Sequence, residues 1–146
     1  MEIEVDVIFM NYLNGNDRIY DLNACNKIIE EFKDKKGTIG VVYGELGHPE
    51  NDTTFQPLSN ISHTIENMWM VNNIVRAKIK ILNTNVGKEL KKNINDYVFS
   101  SRSIGYVDQN KIANVTKFLT IDAINWKEDA YYKRRLREKK LKKILR

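Results

Sequence analysis

The sequence predicts an α+β domain built mainly on an antiparallel β-barrel, with about six or seven strands and two or three flanking helices. Three observations carry this. Several segments alternate apolar and polar residues, the period of a half-buried strand. They do not alternate regularly with helices, which argues against a parallel doubly wound sheet. The chain has 146 residues, the size of one domain, and apolar residues make up 42% of it, enough for a sizeable core.

The elements follow in order. "MEIEVDVIFM" sets Ile3, Val5 and Val7 against Glu2, Glu4 and Asp6, a half-buried strand. "NGND" at 14–17 is a turn. Asp21 caps a helix with Ile28, Ile29 and Phe32 inward and Gly37 as its stop. "TIGVVYGEL", 38–46, reads as a buried strand, and the two-proline stretch 47–57 as a loop. "NISHTIENMWMV" and "IVRAKIKIL" flank Asn72-Asn73 and read as a hairpin, with Val75, Ala77, Ile79 and Ile81 on one face. A short helix is expected over 86–95, then two strands, "VFSSRSIGYV" and "IANVTKFLTIDAI", joined around "DQNK".

The net charge of +5 is unevenly placed. Residues 133–146 hold nine Lys or Arg and one Glu, a local +8, which leaves −3 on the rest. We therefore divide the chain into a domain at 1–126 and a basic helical arm at 127–146. Tyr132, Leu136, Leu141, Ile144 and Leu145 give that arm an apolar stripe. It reads as a solvated helix or as a docking element for an acidic partner. Nucleic acid is disfavoured, because no aromatic platform or recognition motif accompanies the charge. Cys25 is the single cysteine, so neither a disulfide framework nor a cysteine zinc site is expected, and a reducing setting fits. The acidic start does not resemble a signal peptide and no apolar run is long enough to span a bilayer. A soluble intracellular protein without membrane contact or cofactor is expected.

Chemistry centres on "YVFSSRSIGYV", 97–107, where Ser100, Ser101 and Ser103 interrupt a strand pattern. A serine hydroxyl becomes a useful nucleophile only beside a base, usually histidine, which a third group orients. Of the two histidines, His48 follows a strand end and lies between Gly47 and Pro49, a place where catalytic groups are commonly mounted. His63 lies inside a strand and reads as a packing or surface residue. No G-x-S-x-G elbow, phosphate loop or metal motif is present. The residues alone thus leave open which serine acts and whether any does.

Five blocks then carry a resemblance: "NDRIY" (16–20), "GELGHPE" (44–50), "IENMWMVNNIVRAKIKIL" (65–82), "SSRSIG" (100–105) and "LTIDAI" (119–124). Together they resemble the prohead core proteases of T-even-like tailed phages, capsid-maturation serine proteases similar to herpesvirus assemblins. The resemblance implies an assemblin-like fold, Ser100 as nucleophile and His48 as base. Asp122 is the implied orienting group. Ser101 is the competing nucleophile and Glu45 the rival orienter, although its odd spacing from His48 puts it on the opposite strand face unless the chain bends at Gly47. Arg102 would brace the site or attract acidic substrate. Implied substrates are phage scaffold and major capsid proteins, cut after glutamate inside the assembling prohead in the host cytoplasm. The enzyme would be carried there as a zymogen, with the 127–146 arm on acidic scaffold protein and with self-association as a further expectation. Ser103 stands where the family often has glycine, and "NWKEDAYYKRR" lacks the proline usual after the aspartate. The rival expectation is a non-enzymatic binding module for prohead scaffold or nucleic acid, acting through the arm. Alternation adds a geometric expectation: Ser100 and Arg102 on one face, Ser101 and Ser103 on the other.

Overall fold

The computed structural model describes residues 1–47 and 58–127. The 48–57 part of the expected loop, His48 included, and the arm from 128 onward lie outside the described residues. The described chain is α+β and mostly antiparallel: β1 (Glu2–Phe9), α1 (Leu22–Ile39), β2 (Tyr43–Glu45), β3 (Ile61–Val71), β4 (Ile74–Ile81), α2 (Asn85–Lys92), β5 (Tyr97–Val107) and β6 (Ala113–Asn125). Short 3-10 turns at Leu58–Asn60 and Ile94–Asp96 precede β3 and β5. No described helix is long and apolar enough to cross a membrane.

Strands β1-β4-β3-β2 form one antiparallel sheet, and β5-β6 form a separate ladder. Among the described residues, one parallel β-bridge joins them, Leu46 with Ala123. The expected barrel is therefore not closed among the described residues. The physical reason lies in β2. It has only three residues, and the bridge to β6 is made by Leu46, the residue after it, rather than by a ladder.

The central hairpin forms as the pattern predicts. Val75, Ala77, Ile79 and Ile81 are buried while Lys78 and Lys80 are exposed. Asn72 and Asn73 turn the chain with φ of 49° and 65°, the paired left-handed conformation of a two-residue hairpin that asparagine tolerates. Valine at 73 would force a β-branched residue into that region, so Asn73→Val should cost about 1–2 kcal/mol, read as a lower thermal midpoint.

In β1 the register shifts between Asp6 and Ile8. The shift turns Ile8 into the core after Ile3 and Val5 have faced it.

The first helix runs further than expected. Asp21 caps it by accepting a hydrogen bond from the Ala24 N–H at 2.9 Å. It passes through Gly37 and ends at Gly40, whose φ is 87° and whose N–H donates to Lys36 O at 2.8 Å. A helix interior tolerates glycine for about 1 kcal/mol, whereas a left-handed C-terminal residue strongly favours it. Gly40 is thus the stop, and the strand expected from 38 shrinks to β2. Phe32 on α1 meets Phe118 on β6 edge-on, ring centroids 6.2 Å apart. This contact packs the helix onto the β5–β6 ladder.

Candidate active site

The β5–β6 ladder sets the candidate residues. Ser100 stands opposite Asp122, Ser101 opposite Ile121, Arg102 opposite Thr120 and Ser103 opposite Phe118. Directly opposed residues share a face. One face of the ladder therefore carries Ser100, Arg102, Asp122 and Thr120. The other carries Ser101 and Ser103 beside the core residues Ile121 and Phe118. The spacing of those two core residues is odd, and the register shift between Arg102 and Ser103 accommodates it. Leu119 is the extra residue on β6, so Phe118 and Ile121 both face inward. Ser100 and Ser101 thus divide between the two faces as alternation requires.

Behind Ser100 lies a buried charge cluster. Arg102 is 11% exposed, Glu45 1% and Asp122 0% by side chain. The Arg102 guanidinium places Nη2 2.7 Å from Glu45 Oε2 and Nε 3.1 Å from Asp122 Oδ2. The Glu45 N–H donates to Asp122 Oδ1 at 3.2 Å, and Asn60 Nδ2 donates to Glu45 Oε1 at 3.2 Å. Arg102 is thereby committed to two carboxylates. That supports the bracing role considered for it over attraction of acidic substrate. Glu45 enters the cluster because the register of β2 against β3 shifts between Gly44 and Glu45. Sequence spacing cannot reveal such a shift.

The chain then turns toward His48. The Gly47 N–H donates to Ala123 O at 2.6 Å, one residue beyond Asp122, and Gly47 has φ of 81°. The bend that would relieve the odd Glu45–His48 spacing is present at Gly47. His48 follows Gly47 directly in the chain and itself lies outside the described residues.

His63 has a different place. It is fully buried on β3. Its Nδ1 lies 2.8 Å from Ser62 Oγ and its Nε2 2.8 Å from Ile121 O. A carbonyl only accepts, so Nε2 carries the proton and Nδ1 accepts from the Ser62 hydroxyl. Burial pushes its pKa down to about 4, opposed by the Ile121 carbonyl and the Asp122 charge. The ordinary value near 6.5 applies to the unfolded chain. As pH falls, the unfolded chain therefore takes the proton first. The stability this neutral ring contributes is full above about pH 6.5 and is lost between there and about pH 4, roughly 3 kcal/mol in all. Urea unfolding at pH 7 and pH 4.5 should show that loss in the wild type and not in His63→Gln.

Sequence reasoning missed two residues. Gly44 stands opposite His63, and a Cβ there would lie 2.0 Å from His63 Nε2 and 2.3 Å from Ile121 O. Only glycine lets the three strands close on the imidazole. Lys35 on α1 donates from Nζ to Leu119 O at 2.6 Å. Its pKa is lowered, first by burial and then by Lys117 and Arg102. These three cations line a cavity of about 590 Å³ together with Glu31, Asp34, Phe118 and Thr120. No signal in the sequence joins residues 35, 102 and 117.

The bacteriophage T4 capsid assembly protease gp21 has a similar structure, with a TM-score of 0.71 over 84% of this chain and 80% of that one at 23% identity. At that identity the likeness speaks for the fold. No curated protein sequence matches the chain. The sequence profile described as prohead core protein serine protease matches residues 1–125, which takes in the strand pair bearing Ser100, the buried carboxylates and both histidines. The chain accordingly belongs to the prohead core protein serine protease family.

Proposed function

We propose that this serine protease is an endopeptidase that matures phage proheads, with Ser100 as nucleophile, His48 as general base and Asp122 as orienting carboxylate. The observation that carries the reading is the register that sets Ser100 across from Asp122, with the residue preceding His48 anchored on Ala123 next door. Electrostatics support the same assignment. Two buried carboxylates stand against the Arg102 guanidinium, and the negative charge of Asp122 would stabilise an imidazolium formed at His48 during catalysis.

In this mechanism His48 takes the Ser100 proton and the oxygen attacks the scissile carbonyl. A backbone N–H near Arg102 stabilises the oxyanion. The amine leaves with the proton from His48, and water then releases the acyl group. Scaffold and major capsid proteins are the substrates, cut after glutamate. The 127–146 arm docks on acidic scaffold protein and carries the enzyme into the prohead.

A serine-directed phosphonylating reagent tests the nucleophile. Mass spectrometry should place the adduct on Ser100, with cleavage of purified scaffold protein falling in step. An adduct on Ser101, or full cleavage by Ser100→Ala, overturns the assignment.

A further inference from the structure

We propose that His63 is a positioning residue: its imidazole ties β3 to β6 beside Asp122 and props Phe99 beside Ser100, so that the rate of cleavage depends on its Nε2–H bond. This rests on the Ser100 reading above and concerns a residue outside that mechanism.

The geometry is specific. The ring sits at the point where three strands converge. It belongs to β3, lies over Gly44 of β2, and donates to Ile121 O on β6 at 2.8 Å. Ile121 directly precedes Asp122. The same ring meets Phe99 edge-on, centroids 5.4 Å apart and planes at 84°, and Phe99 directly precedes Ser100. One side chain therefore touches both strands of the Ser100–Asp122 ladder at the adjacent residues.

Core filling alone does not explain an imidazole here. An apolar side chain of similar size is cheaper to bury, because a buried polar ring must have its nitrogens paired. Both nitrogens are paired, and Ser62 fixes the tautomer by donating to Nδ1. What the imidazole adds over an apolar ring is a directional bond to the backbone of the strand that carries Asp122. Among the described residues, the β-bridge between the four-stranded sheet and the β5–β6 ladder is Leu46–Ala123, and further bonds between them run from β2 and the residues after it: Glu45 to Arg102 and Asp122, Tyr43 O to Thr120, and Gly47 to Ala123. The His63 bond to Ile121 O adds a tie from β3, the neighbour of β2, on the residue next to Asp122. Small displacements at a reacting centre have large kinetic consequences.

The test uses the full chain with purified scaffold protein as substrate and compares three variants. His63→Phe keeps an aromatic ring and removes the donor. His63→Gln keeps an amide donor at the Nε2 position. Ser62→Ala keeps the imidazole and removes the hydroxyl that sets its tautomer. His63→Phe should lower kcat by about 10- to 100-fold with KM within about twofold. His63→Gln should restore kcat to within about threefold of wild type. Equal activity of His63→Phe and His63→Gln, at whatever level, overturns the proposal, as does a kcat loss that only follows the thermal midpoint. If His63→Phe does not fold, Ser62→Ala decides: a several-fold drop in kcat at unchanged KM supports the proposal, and unchanged kcat overturns it. Ser100→Ala, run alongside, separates the two readings. An inactive Ser100→Ala with normal His63 variants overturns only the positioning role; an active Ser100→Ala removes the nucleophile assignment and this inference with it.

Discussion

Replacing Ser100 by alanine should lower kcat for scaffold cleavage on the order of 10⁴- to 10⁶-fold, and replacing His48 by alanine should cost about as much. The double variant should be no worse than either single one. That non-additivity is the signature of groups acting as a unit, because the histidine has no proton to take once the hydroxyl is gone. Ser101→Ala should stay within about threefold of wild type, since Ser101 stands opposite Ile121 on the core face of the ladder. The measurement is single-turnover cleavage of scaffold protein, with circular dichroism to show that each variant is folded. Multiplying losses in the double variant would mean that His48 acts on something other than Ser100, and a different base would have to be sought.

Much of this arrangement is legible in the residue pattern, for reasons that can be named. The β3–β4 hairpin is visible because alternation and the Asn72-Asn73 turn are local signals, each complete within a few residues. The facing of Ser100 and Asp122 needs the ladder register, and the pattern supplies only its two strands. Helix α1 shows where local signals compete. Gly37 reads as the stop, and the left-handed φ at Gly40 moves it three residues on. The partners of Arg102 are separated from it by 57 and 20 residues. No spacing rule reaches that far, so both a bracing and a substrate-binding role fit the sequence. The lone strand histidine is the clearest case. His63 reads as a packing or surface residue and proves fully buried, but its bond to Ile121 and its need for Gly44 depend on three strands meeting, which only the tertiary fold brings about.

Replacing Arg102 by alanine should destabilise the protein by about 3–5 kcal/mol and abolish cleavage together. The guanidinium is nearly buried and faces two carboxylates that are 1% and 0% exposed. Without it, both carboxylates remain in a low-dielectric interior and lose the guanidinium's charge, and each has a large desolvation cost. A further change separates stability from function. Arg102→Met combined with Glu45→Gln and Asp122→Asn removes every charge of the cluster and keeps roughly its volume. Replacement of a whole buried ion cluster by neutral groups is often close to neutral for stability, so the triple variant should recover most of the loss seen in Arg102→Ala. It should not recover cleavage, because an amide at 122 cannot stabilise an imidazolium as a carboxylate does. Urea unfolding and scaffold cleavage measured on the same preparations give both quantities. Recovery of cleavage along with stability would show that the cluster serves the fold alone and that the orienting group lies elsewhere.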